Sequence, residues 1–250
     1  MKLRKHHVFW LVFFGGLLLF AGAMVWYTRQ ALRPYPAAPE AREALASTPE
    51  LEVRPTAYGW VFIPSQQVRA GLAFYPGGLV EPEAYAPVLR RIAQAGYRVA
   101  LLRLRYNLAV TEQGKARQPI AEAPGLRWAV GGHSLGGVVA SNFAASNPAA
   151  KALVMWAAYP LNDLSSLSLP TLALFGEKDG RISQEQLEAH KGKFPPATRF
   201  VVIPGLNHAS FGAYGPQRGD NPTALPKETG WDQVAQQTVA FLNEALGTLP

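Results

Sequence analysis

Six residues constrain this chain more than any others: Gly132-His133-Ser134-Leu135-Gly136-Gly137. An apolar run, Leu126-Arg127-Trp128-Ala129-Val130, precedes them and reads as a buried strand. Val138 to Ala145 follows and reads as a helix. A G-x-S-x-G pattern between strand and helix specifies a sharp turn that lifts the serine hydroxyl above the end of a sheet. Serine there is held in a strained backbone conformation. Larger side chains at the flanking positions would collide with the neighbouring strand and helix, a demand that Gly132 and Gly136 meet. The pentapeptide alone is a modest signal; its place at a strand-to-helix boundary gives it weight.

The 250 residues suffice for one α/β domain with a full core. There are no cysteines, which excludes a disulfide framework, a cysteine metal site and thiol catalysis. The net charge of +7 invites a nucleic-acid reading, but five of those charges lie within residues 1–33 and leave only +2 for the rest. A nucleic-acid domain concentrates its basic residues on a folded face. Here they flank an apolar segment, and no nucleic-acid partner is expected.

That segment, residues 8–27, is twenty residues without a charge, bordered by Lys2, Arg4 and Lys5 before it and Arg29 and Arg33 after it. At helical rise, twenty apolar residues cross the hydrocarbon core of a bilayer. Trp10, Trp26 and Tyr27 sit where interfacial aromatics belong. The reading is an N-terminal transmembrane helix within a basic, anchoring region 1–33, with the N-terminus inside and the remaining chain extracytoplasmic by the positive-inside bias. The alternative is a signal peptide, cleaved near Ala21-Gly22-Ala23, and a secreted domain. Residues 34–50 carry four prolines among Ala and Glu and read as a semi-rigid tether to a domain over 51–250.

Within that domain, 51–54 and 58–63 read as strands, possibly a hairpin, and 70–75 as a short strand ending in Pro76-Gly77-Gly78. Residues 82–95 have helical spacing; 99–104, 152–158, 171–175 and 200–203 read as strands, and 231–246 as an amphipathic helix. Strands alternating with helices imply βαβ units around a mostly parallel sheet flanked by helices.

A serine nucleophile needs a base and a carboxylate that orients it, in the order Ser, Asp, His for this architecture. Asp179 lies in the loop after the 171–175 strand, and His208 follows the 200–203 strand. Both fall, like Ser134, at the C-terminal ends of parallel strands, where sites belong. Asp179 could instead serve only as a turn residue before Gly180; Asp163 is the reserve acid, Glu177 reads as solvated and His190 lies on a surface helix. His133 reads as packed within the elbow. Two backbone N–H groups must face a developing oxyanion. Leu135, after the serine, supplies one; Gly78 or Leu79 supplies the other, unless their segment is a plain turn.

The chain resembles the α/β-hydrolase superfamily, most closely its small, capless alpha/beta hydrolase family 5 group, which is similar to the dienelactone hydrolases. The resemblance rests on Tyr75-Pro76-Gly77-Gly78, Ala84 to Pro87, Asn107 to Val110, Gly132 to Gly137, Gly176 to Gly180 and Asn207-His208-Ala209-Ser210-Phe211-Gly212, continuing through Tyr214 to Gln217 and Gly219-Asp220. It spans residues 57–247. It implies the α/β-hydrolase fold without a cap domain, with Ser134 as nucleophile, Asp179 as acid and His208 as base.

The expected function is a membrane-anchored serine hydrolase, a carboxylesterase acting on small or accessible esters. No cofactor and no metal is required. The expected partners are a small ester-like molecule and, through residues 8–27, a lipid bilayer. Only about ten residues, 160–170, separate two strands where a cap would enter, so the site should be open. Three alternatives stay open: an acyltransferase with the same triad, a catalytically silent binding protein on the same fold, and a membrane-tethered peptidase. Residues 213–230 either border the site or are mere surface.

Overall fold

The computed structural model describes residues 5–247, so the expected basic stub at Lys2 and Arg4 lies outside the described residues. The chain divides into two compact units, residues 1–34 and 35–250.

The first unit is helix α1, Lys5–Ala31. Its described apolar side chains, Phe13, Leu18 and Phe20 among them, are exposed. Side chains at positions 8, 11 and 12 of the expected span lie outside the described residues. Among the described residues no helix is long and apolar enough to cross a membrane. The contiguous side chains that are described, 13–30, end in the polar run Thr28-Arg29-Gln30, which dilutes the apolar stretch.

The second unit is an eight-stranded sheet. Its strands are β1 (Leu51–Thr56), β2 (Gly59–Pro64), β3 (Ala70–Tyr75), β4 (Tyr97–Leu102), β5 (Trp128–His133), β6 (Ala150–Trp156), β7 (Thr171–Gly176) and β8 (Thr198–Ile203), in the spatial order β1-β2-β4-β3-β5-β6-β7-β8. The expected hairpin is β1–β2, and β2 also runs antiparallel to β4; every other pairing is parallel. β3 is buried along its whole length. Parallel strands covered on both faces read as continuous apolar runs. Leu72 and Phe74 belong to one core layer, Ala73 and Tyr75 to the other.

Helices cover both faces. On one, α3 (Ala86–Gln94) buries Val88, Leu89 and Ile92, and α7 (Lys227–Leu246) buries Trp231, Val234, Phe241 and Leu242. On the other, α5 (Leu135–Ser146) buries Val139, Ala140 and Phe143. Three short helices complete the set: α2 (Pro39–Glu43), α4 (Arg117–Glu122) and α6 (Gln184–Lys191), the last opened by a capping box between Ser183 and Gln186. Between β6 and β7, residues 157–170 form no helix or strand, so no cap interrupts the sheet there.

Two expectations change. The β5 strand runs to His133 rather than ending at Val130. Glycine is a poor strand former, yet Gly131 lies so close to β6 that a Cβ on it would stand 2.9 Å from Val154 Cβ. Pairing with β3 and β6 carries the strand through its glycines. The Pro-rich stretch 35–50 is no free tether. Tyr35 N–H donates to the Leu79 carbonyl (2.7 Å), Ala38 N–H to the Ala213 carbonyl (2.9 Å), and Ala41 is fully buried. Proline favoured extended backbone here, and the small alanines let that backbone pack flat against the domain.

Candidate active site

Ser134 joins β5 to α5 with φ 51° and ψ −122°, a conformation that L-residues rarely adopt. Gly132, Gly136 and Gly137 make the turn sterically possible. A Cβ on Gly132 would lie 2.4 Å from the Gly136 backbone, one on Gly136 would lie 2.2 Å from the Tyr75 carbonyl oxygen, and one on Gly137 would lie 2.5 Å from Ala158 Cβ. Ser134 N–H donates to the Trp156 carbonyl (2.9 Å), which pins the turn to the end of β6. Leu79, Tyr106, Asn107, Ser134 and Ala157 are the non-glycine residues of positive φ among the described residues. Each follows the C-terminal end of β3, β4, β5 or β6. Backbone strain is therefore concentrated along one edge of the sheet, the edge where sites cluster.

His208, after β8, and Asp179, after β7, meet along that edge. His208 Nδ1 lies 2.8 Å from Asp179 Oδ2, with both side chains about fully buried. The ionised carboxylate accepts only, so Nδ1 carries the proton and Nε2 keeps its lone pair. His208 Nε2 is buried with no hydrogen-bond partner. Asp179 Oδ1 meanwhile accepts from the N–H groups of Arg181 and Ile182 (both 2.8 Å), which holds the carboxylate plane. Ser134 and His208 line one cleft of about 250 Å³, walled by Leu135, Val138, Ala158 and Leu161. Ser134 Oγ forms no hydrogen bond to His208 Nε2, and such bonds commonly tighten only around a substrate. A larger groove of about 780 Å³, lined by Trp60, Glu83 and Arg103, holds neither serine nor histidine and is not a candidate for this chemistry.

His133 stacks beside His208, with ring centroids 4.6 Å apart. Gly77 N–H donates to the Tyr85 hydroxyl (3.0 Å), and that hydroxyl is hydrogen-bonded to His133 Nδ1 at 2.8 Å. The chain of bonds ties the Pro76-Gly77-Gly78 turn to the elbow strand. Burial, then the neighbouring His208 and Arg181 charges, hold His133 well below the ordinary histidine value, so it stays neutral.

Residues 71–232, more than half of the chain, match the alpha/beta hydrolase family. The chain belongs to the alpha/beta hydrolase family. Among solved structures it is similar to TT1662 from Thermus thermophilus, at 18% identity, a TM-score of 0.57, and coverage of 80% of this chain and 99% of that one. At that identity the likeness speaks for the fold. No curated protein sequence matches.

In this α/β hydrolase the structure sorts the remaining expectations. The N–H groups of Leu135 and Gly78 have no hydrogen-bond partner among the described residues. A Cβ on Gly78 would lie 3.1 Å from Leu135 Cδ2, so the two donor segments face each other. Leu79 does not meet the expectation: its N–H donates to the Asn107 carbonyl at 2.7 Å and is spent. Asp163 is exposed and caps Ser165 N–H at 2.9 Å. Glu177 is exposed and accepts from Gly205 N–H at 2.9 Å. His190 stacks on Tyr159.

Asp220 was missed as a site residue. Its carboxylate accepts the N–H groups of Gly180 (3.0 Å), His208 (3.2 Å), Ala209 (2.8 Å) and Asn221 (2.9 Å). It clips the Asp179 loop to the His208 loop, so part of the 213–230 segment borders the site. The sequence offered only a Gly219-Asp220 pair, which also suits an ordinary turn.

Proposed function

We propose that this α/β hydrolase is a serine hydrolase that cleaves small or accessible carboxylic esters through an acyl-enzyme. One observation carries the reading: a buried Asp179–His208 hydrogen bond of 2.8 Å leaves an unpartnered imidazole nitrogen in the cleft that Ser134 shares. His208 Nε2 takes the Ser134 proton as Oγ bonds to the ester carbonyl carbon. The carbonyl electrons move onto oxygen, where the N–H groups of Leu135 and Gly78 stabilise the charge. The tetrahedral centre collapses, the C–O bond to the alcohol breaks, and His208 gives its proton to the departing oxygen. Water then attacks the acyl carbon, passing its proton to His208, and Ser134 leaves with that proton restored. Asp179 fixes the tautomer and stabilises the imidazolium without being protonated itself.

The test is labelling of the full chain with a fluorophosphonate probe, beside Ser134→Ala. Labelling confined to the unmodified serine, with Ser134→Ala losing ester turnover by at least about 10³-fold, supports the reading. A folded chain that takes no label overturns it.

The support for an anchor is the uncharged run 8–27 between basic flanks. On this reading α1 holds the enzyme to a bilayer with the hydrolase unit on the extracytoplasmic side. Full chain that pellets with membranes and resists an alkaline wash supports it; release by that wash argues against it.

A further inference from the structure

Besides Ser134 and His208, the cleft is lined by aliphatic side chains, by Tyr159 and by a single cation, Arg181. Arg181 stands two residues beyond Asp179, and its N–H donates to Asp179 Oδ1 at 2.8 Å. The same carboxylate holds His208 through its other oxygen. The cation is thus tied through one acidic group to the base, which fixes where the side chain emerges relative to the reacting centre. Its Nη1 donates to the Arg218 carbonyl at 2.7 Å. That bond braces the guanidinium across the cleft's edge and leaves Nε and Nη2 without partners among the described residues.

No carboxylate lies within ion-pair distance of Arg181 among the described residues. Two acids stand nearby, and both are occupied. Asp179 is engaged by His208 and two backbone N–H groups, and Asp220 by four backbone N–H groups. Several arginines of the domain pair with carboxylates, such as Arg54 and Arg98 with Glu122, Arg91 with Glu228 and Asp232, and Arg103 with Glu83, whereas others, such as Arg90 and Arg127, spend their donors on backbone carbonyls; what sets Arg181 apart is its place in the lining of the cleft. Arg181 is the one cation that lines this mostly apolar cleft, and its charge there is matched by no carboxylate among the described residues.

We infer that Arg181 is a specificity-determining residue that selects esters bearing a carboxylate on an apolar chain, so that the preferred substrates are monoesters of dicarboxylic acids. The inference rests on the ester-hydrolase reading above and names its substrate class. Aliphatic walls from Leu135, Val138 and Leu161 receive the methylene chain. The planar guanidinium offers a carboxylate its free Nε and Nη2 donors as a parallel pair. A lysine in its place would supply charge without that fork. Because Arg181 is exposed, water and salt weaken the contact, and the selectivity should be moderate.

The test compares p-nitrophenyl monoesters of glutarate and adipate with p-nitrophenyl pentanoate and hexanoate, using the full chain. The readout is the ratio of kcat/KM for each anionic ester over its neutral partner of equal chain length, after subtraction of spontaneous hydrolysis. Arg181→Gln should lower that ratio about fivefold to tenfold, and Arg181→Lys should lower it less. Raising NaCl should lower the ratio in the unmodified chain and not in Arg181→Gln. A ratio equal in the two proteins overturns the inference while leaving the esterase reading intact. If no ester is turned over and no probe is taken up, the esterase reading fails by itself. Calorimetric titration of Ser134→Ala with monomethyl adipate against methyl hexanoate then decides the inference separately. Tighter binding of the anion, lost when Arg181→Gln is added, upholds it; equal binding sinks it.

Discussion

At the scale of single residues, the site is organised by groups that can no longer bond elsewhere. Asp179 gives one oxygen to His208 and the other to its own loop, and His208 gives one nitrogen to Asp179 and keeps the other. His133 shows the same economy from the opposite side. It is buried against His208 and hydrogen-bonded to Tyr85, and burial above all opposes its protonation, with the Arg181 charge adding to it. The unfolded chain binds a proton at His133 near the ordinary histidine value of 6.5, whereas the folded chain does so only well below it. Between those two values the unfolded state carries more protons, so stability rises with pH there and falls as pH drops below about 6.5. The loss is up to about 1.4 kcal/mol per pH unit. Melting curves from pH 8 to 5 should show Tm falling below about 6.5. His133→Gln should flatten that slope, whatever it does to Tm at pH 8. Glu122, lowered chiefly by its hydrogen bond from Tyr58, acts in a separate and lower window, losing its contribution as pH falls below about 4.5. An unchanged slope in His133→Gln would mean that its protonation is not coupled to folding.

At the scale of elements, the sheet delivers Ser134, Asp179 and His208 to one edge, and the loops between strands are locked by a residue outside all three. Asp220→Ala removes the acceptor for three backbone N–H groups on the Asp179 and His208 loops and for a fourth beside it, at Asn221. Hydrogen bonds to a charged group are strong, and unmatched buried donors are costly. We expect a loss of about 3 kcal/mol, read by chemical denaturation, together with a fall in kcat larger than any rise in KM, because the loops it joins carry the proposed acid and base rather than the cleft's aliphatic wall. Asp220→Asn, which retains one accepting oxygen, should fall between the two. Full kcat in Asp220→Ala would show that the loops hold their geometry without the clip. This layer of the site was the least legible in the sequence. Ser134 announced itself through Gly132 and Gly136, whose requirement is local and steric. Asp179 and His208 could be placed because each follows an apolar strand of obvious period. Asp220 acts across forty residues of chain on backbone groups, and no pattern of side chains records a bond to a backbone N–H. The same holds for Leu79, whose N–H is consumed by a carbonyl in a different loop, at Asn107. The sequence predicts β5 to end at Val130 for a related reason: its last residues are held by neighbours rather than by their own propensity.

At the scale of the molecule, the hydrolase unit begins at Tyr35 rather than at its first long strand. Residues 35–50 have the composition of a spacer, but they run under the turn that carries Gly78. Tyr35 bonds the Leu79 carbonyl, Ala37 N–H donates to Glu81 Oε2 (2.9 Å), and Glu81 N–H returns to the Tyr35 carbonyl (3.0 Å). Ala37 and Ala41 bury their side chains in the layer that includes Val80, Tyr85 and Tyr214. This segment therefore supports the Gly78 turn from outside, as Tyr85 and His133 support it from within. Three hydrogen bonds and the buried alanines together are worth about 4 kcal/mol. For a domain of this size that corresponds to about 10 °C in Tm. Chains beginning at Tyr35 and at Leu51 should therefore differ by about that much in a melting experiment. The shorter chain should also label more slowly with a fluorophosphonate, since the turn that presents Gly78 N–H loses its outer support. Equal Tm and equal labelling rates would return residues 35–50 to the role of a linker. A drop in Tm with an unchanged labelling rate would confine their contribution to stability and leave the support of the Gly78 turn to Tyr85 and His133 alone.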